Sequence, residues 1–168
     1  MRLVLLLAAL CITASVHADI SGRVVVVSDG DTIKVLAADM IEYKVRLTGI
    51  DAPERGQPFG NASRKHLASM IAGKEVLVES TREDNYGRVL GKVWVQPRSC
   101  PACGRTLDVN HAQVVDGMAW WYRYYAREQS EEDQGRYESA EDEAKVRKRG
   151  LWADPDAVNP YEWRKSQR

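Results

Sequence analysis

The 168-residue chain carries no excess charge: 24 lysines and arginines stand against 24 aspartates and glutamates. Such a chain does not draw polyanions through its overall field, so any grip on phosphate must come from local arginines and a metal. Histidine is scarce, with only His66 and His111 beyond the N-terminal segment. That excludes a histidine-rich or HNH-type metal cluster, and it excludes the paired histidines of acid–base ribonuclease chemistry. Both histidines fall on helical stretches and read as ordinary surface or partly buried residues. Cysteine is limited to Cys11, Cys100 and Cys103. One Cys-x-x-Cys pair is at most half a zinc site, and this one lacks the βαβ setting of a thioredoxin-like centre. No repeat or low-complexity stretch interrupts the chain.

The apolar run from Leu3 to Ile12 is too short to span a bilayer, which takes about 20 residues. It follows the basic Arg2 and precedes the small residues around Ala14 and Ala18. This is the pattern of a secretory signal over residues 1–18, cleaved after Ala18. An uncleaved anchor is the competing reading. A lipoprotein site at Cys11 is disfavoured because Leu10 stands where a small residue is wanted. Cleavage would remove Arg2 and no acid, leaving a net charge of −1. The mature protein would be periplasmic or secreted, free of the membrane and monomeric. Cys100 and Cys103 would then meet an oxidising compartment, where a local disulfide between them is expected.

Hydrophobic residues make up 44% and charged residues 29%, which fits one globular domain with a real core. Residues 24–27 and 32–36 are β-rich and flank Asp29-Gly30-Asp31, so they read as a hairpin. Residues 43–47 alternate as a third strand, ended near Pro53. Residues 60–72 carry apolar positions at helical spacing, with Gly73 as the stop. Residues 75–79 and 89–95 read as two further strands, and 109–119 and 128–149 as two further helices. Five strands and three α-helices in this order predict an α+β fold, a five-stranded OB-fold barrel. The domain would occupy residues 19–155, with 156–168 as an exposed C-terminal tail.

Three charged clusters stand out. Asp29 and Asp31 are ordinary turn residues, yet two carboxylates at a strand junction can also hold a hard cation. Arg46, Asp51 and Glu54 surround the end of the third strand. There one carboxylate can bind metal, another can activate water, and the arginine can fork onto phosphate. Asp84-Asn85-Tyr86-Gly87-Arg88 reads as a hairpin turn or as a second phosphate clamp. A surface ion pair competes with the functional reading at each cluster taken singly.

Taken in order, these clusters resemble the staphylococcal-nuclease-like thermonucleases, and Val109-Asn110, Gly117, Ala119 and Leu151-Trp152 extend the match. The resemblance spans residues 24–152. It implies an exported calcium-dependent nuclease that hydrolyses DNA and RNA. Cleavage would be first internal and then from exposed ends, leaving 3′-phosphates and favouring single strands. It implies Asp31 and Asp51 as side-chain calcium ligands, with the carbonyl of Ala52 as a further ligand. Glu54 would serve the attacking water, and Arg46 and Arg88 would hold the phosphate. Asp29 would tune the metal from outside its ligand set, and Tyr86 would contact a terminal phosphate. The family's stacking tyrosine aligns here with Arg123, which leaves Tyr122 and Tyr124 as candidates and Tyr125 within reach. Several aromatics of 120–125 would instead anchor the second helix to the barrel. Two rival functions remain, a binding-only barrel of the same fold and a redox or metal-handling protein built on the cysteine pair.

Overall fold

The computed structural model describes residues 19–167, so the predicted signal segment lies outside the described residues. β1 (Ile20–Val27), β2 (Thr32–Ala37) and β3 (Glu42–Leu47) form a meander, and the two-residue β4 (Ile50–Asp51) follows. Then come α1 (Gly60–Ile71), β5 (Glu75–Glu83), β6 (Val89–Val95), β7 (Leu107–Asp108) and α2 (Val109–Val115). β8 (Trp120–Trp121), a 3₁₀ turn, α3 (Glu131–Val146), a second 3₁₀ turn and α4 (Pro160–Ser166) complete the chain.

The five long strands are rich in Val and Ile, which suit a pleated, half-buried surface. They run in the order β3-β2-β1-β5-β6, all antiparallel, and a parallel β3–β6 pairing closes the ring. The chain thus folds as a five-stranded barrel of the OB type with helices packed on it. The interior is filled by residues such as Ile33, Val35, Val45, Val76, Val78 and Val93, all fully buried. β1 carries a bulge between Val24 and Val26, which bends the strand around the barrel and leaves Val25 and Val26 exposed.

α1 buries Leu67 and Ile71 against this core, and α2 buries Val109 and Val114. α3 is polar in composition yet turns Tyr137, Ala140 and Ala144 inward. Tyr137 is fully buried and donates its hydroxyl to the Asp108 carboxylate at 3.1 Å. The same carboxylate caps α2 by accepting from the His111 backbone N–H.

Three expected boundaries differ. α2 stops at Val115 instead of continuing to 119, because Gly117 turns left-handed at φ 64°. The N–H groups of Met118 and Ala119 then both fold back onto the Gln113 carbonyl. α3 is shorter than its charged stretch, starting after the Ser130 cap and ending at Val146. The expected tail is a correction of substance. Asn159 caps a short helix with Pro160 in its first turn, and that helix packs back onto the domain.

Asn110 joins helix and barrel. Fully buried, it accepts from the Val93 N–H and donates to the carbonyls of Thr48 and Gly91. Truncation to Ala would leave these buried groups short of partners, at about 1–3 kcal/mol each. Asn110→Ala is therefore expected to lower the unfolding free energy by about 3 kcal/mol or more, measured by urea denaturation followed by circular dichroism. A loss within about 0.5 kcal/mol, the range of ordinary surface changes, would contradict this role.

Candidate active site

The site grows from three turns around the barrel mouth. The first joins β1 to β2. The Asp31 N–H donates to the Asp29 carboxylate at 3.1 Å, so Asp29 shapes the turn that presents Asp31. Gly30 has no room for a side chain, since a Cβ there would lie 2.0 Å from Ser63 Oγ. Its carbonyl accepts from Gln113 Nε2 at 2.7 Å, which ties the turn to α2. The Asp31 side chain points inward and accepts the Ala52 N–H at 2.7 Å. Burial pushes its carboxyl up to about 7, although the Arg46 guanidinium works against this.

The second turn follows β3. β4 pairs with β8, setting Ile50 opposite Trp121 and Asp51 opposite Trp120. The aromatic run thereby pins the acidic turn from behind, and Trp120 and Trp121 are buried as anchors. Arg46 reaches across with one guanidinium, meeting Asp31 at 2.7 Å and Asp51 at 3.1 Å. The two carboxylates thus share one guanidinium. The Glu54 N–H is held by Gln57 Oε1 at 3.1 Å. A Cβ on Gly60 would meet the Glu54 carbonyl at 1.9 Å, so α1 starts hard against this loop. The Glu54 side chain remains 41% exposed at the cleft edge.

The third turn joins β5 to β6. Asp84 caps it by accepting the backbone N–H groups of Tyr86 and Arg88. It also accepts Arg88 Nε at 2.7 Å, which fixes the direction of that side chain. Burial works to raise the Asp84 carboxyl, but these hydrogen bonds outweigh it and hold the group below its ordinary value.

All three turns open on one cleft of about 660 Å³. Asp29, Asp31, Arg46, Ala52, Glu54 and Arg88 line it together. Asp51 lies just beneath, 1% exposed and covered by arginines. Tyr86 stands on the rim, 83% exposed, with Arg88 over its ring at 5.4 Å. Tyr122 lines the cleft, and burial together with the Asp51 charge raises its phenol. Tyr124 is not brought to the site: it is 80% exposed and outside the lining, where Tyr125 stands in its stead. Arg123 faces away, paired with the buried Glu141 at 2.6 Å and stacked over Trp121. Cys100 and Cys103 are disulfide-bonded to each other in a loop that contributes nothing to the cleft.

One residue of the site escaped sequence reasoning. Arg164 of α4 reaches Asp51 with both guanidinium nitrogens, at 3.1 and 3.0 Å, and Glu54 at 2.8 Å. The Asn159-Pro160 cap signals a helix start, but nothing local signals where its arginine goes.

The carboxylates also bear on metal binding. Among the described residues no three His, Cys, Asp or Glu side chains converge as a metal cluster. Asp31 and Asp51, with no thiolate or imidazole beside them in the cleft lining, offer an oxygen donor set. A hard, loosely coordinated cation fits that donor set, and zinc does not. Asp31 is buried, and Arg46 is its one ion-pair partner among the described residues.

Known proteins match along the same stretch. The family model described as staphylococcal nuclease homologue matches residues 44–154. The chain is 41% identical to a micrococcal nuclease of Shigella flexneri, over all of this chain and 94% of that protein. It is 42% identical to protein ParB of Escherichia coli, over 95% of this chain and 87% of the relative. An uncharacterized endonuclease of Escherichia coli is 40% identical over 88% of this chain and 86% of its own length. Barrel, cleft and relatives agree, and the chain belongs to the staphylococcal nuclease homologue family.

Proposed function

We propose that this protein is an exported, calcium-dependent phosphodiesterase that cuts DNA and RNA by in-line attack of water. The observation that carries the reading is the shared cleft, where acidic and guanidinium groups from three separate turns meet. Asp31, Asp51 and the Ala52 carbonyl would hold the calcium ion. Bound there, calcium would act as a Lewis acid on the phosphate and make a coordinated water easier to deprotonate.

The protein's own groups do the rest. Glu54, 41% exposed at the cleft edge, would accept a proton from the attacking water. Arg46 and Arg88 would donate to the phosphate oxygens as charge builds on them. Both are held by carboxylates before substrate arrives, so little reorganisation is needed. The attack uses no 2′-hydroxyl, so both DNA and RNA are substrates. The cleft's aromatic walls, Tyr122 and Tyr125, favour single strands whose bases can stack. By family resemblance, cleavage is internal and then terminal and leaves 3′-phosphates, and the enzyme works as a monomer. The disulfide accords with export through the N-terminal signal to the periplasm or medium.

Calcium should support cleavage of single-stranded DNA, magnesium should do so poorly, and chelator should abolish it. Equal turnover in chelator would remove the metal assignment. Glu54→Gln should slow turnover by roughly 10²–10⁴-fold with substrate binding retained. If a gel-shift assay showed binding intact and the rate near wild type, Glu54 would be a turn residue only. Arg46→Lys and Arg88→Lys should each lose most activity, because an ammonium cannot reproduce the two parallel hydrogen bonds of the fork. A donor aimed at transition-state charge is worth about 3–4 kcal/mol, whereas an exposed ion pair is worth about 0–1. Rates near wild type for both lysine variants, with folding verified, would favour a binding-only barrel.

A further inference from the structure

The C-terminal helix reaches into the cleft through one side chain. Arg164 grips Asp51 by both carboxylate oxygens and adds Glu54 with the same guanidinium. Asp51 Oδ1 also accepts from Arg46, so the carboxylate is taken up by two cations. A calcium ion would have to come within about 2.3–2.6 Å of an Asp51 oxygen. A guanidinium forked on the same carboxylate would then face a divalent charge at close range. We infer that α4 is an intramolecular plug, in which Arg164 competes with the divalent cation for Asp51 and holds Glu54 out of action until it leaves.

The plug is built to be released. α4 has seven residues, too few to persist as an isolated helix, and only Pro160 among them is buried. Beyond the packing of Pro160, the described polar ties are the Arg164 fork and, just before the helix, a hydrogen bond from Gln57 Nε2 to the Val158 carbonyl at 2.6 Å. Gln57 is the residue whose other amide atom holds the Glu54 backbone N–H. One side chain therefore couples the position of the plug to the loop that carries Glu54. The Arg164 side chain is 36% exposed, so its guanidinium can return to solvent, while buried Asp51 needs another cation in its place. Tyr161 and Lys165 of the same helix line the cleft, so α4 at rest also narrows the path to the carboxylates.

The inference rests on the calcium reading above. The test is calorimetric titration of calcium into the mature protein without nucleic acid, for wild type, Arg164→Gln, Arg164→Lys and Arg147→Gln. Arg147 pairs with exposed Glu143 at the end of α3 and controls for total charge. An equilibrium that keeps about nine-tenths of molecules plugged weakens apparent affinity about tenfold. Arg164→Gln should therefore bind calcium about tenfold more tightly, Arg164→Lys should fall between, and Arg147→Gln should match wild type. Arg164→Gln should also reach half-maximal turnover at lower calcium. Unchanged or weaker calcium affinity in Arg164→Gln overturns the plug. So does a fall in turnover at saturating calcium, which would make Arg164 a third phosphate-holding arginine. If neither wild type nor any variant binds calcium, the calcium assignment fails and takes the plug with it. That result is distinct from normal wild-type binding that Arg164→Gln leaves untouched.

Discussion

A parallel pairing of β3 with β6, in a sheet otherwise antiparallel, closes the barrel and builds the site in the same step. Its register sets Arg46 opposite Leu90, and Arg88 lies two residues earlier on β6's approach. A spacing of two along a strand keeps side chains on one face, so closure turns both arginines toward the same cleft. Asn110 bonds across this seam, to Val93 and Gly91 of β6 and to Thr48 just after β3. Disturbing the seam would separate the two cleft-lining arginines as well as loosen the core.

The site is expensive to assemble, and its surroundings show how the cost is met. Asp31 and Asp51 are almost fully buried, where an unpaired carboxylate is strongly disfavoured. Arg46 serves both, and the Ala52 N–H serves Asp31. Neutral residues fix the frame from behind. Gln113 holds the Gly30 carbonyl, and two glycines admit backbone where a methyl would collide. On the far side Glu141 is fully buried, yet it meets Arg123, Lys145 and the Trp121 N–H. The strand that backs the acidic turn is thus held by a compensated charge. Local neutralisation on this scale is how a chain with no net charge can concentrate many charged groups at one mouth.

Much of this could be read in the sequence, and the failures have physical causes. The valine-rich runs and the Asp-Gly turn announce the first hairpin, and the barrel follows from strand count and order. The charged residues of the three turns fall where their motifs suggest, because each motif is local. Tyr124 is the expected choice and Tyr125 lines the cleft instead, since a 3₁₀ turn with a kink at Tyr125 decides which ring faces it. The end of α2 depended on Gly117 adopting a left-handed conformation, made necessary by the tight packing of Arg149 and Trp152 against it. Arg164 lies 113 residues from Asp51 and 110 from Glu54. No periodicity or spacing rule spans such a distance, and a polar stretch after Pro155 has the composition of a tail.

The disulfide loop after β6 has a different bearing. Cys100 and Cys103 close a tight turn, Arg98 ties it to Ser69 and Arg105 to Ser21, and none of its residues lines the cleft. The molecule therefore has a covalently braced back that takes no part in substrate access. A matrix, label or fused domain attached there leaves the working mouth facing outward, so the protein can be immobilised in a defined orientation.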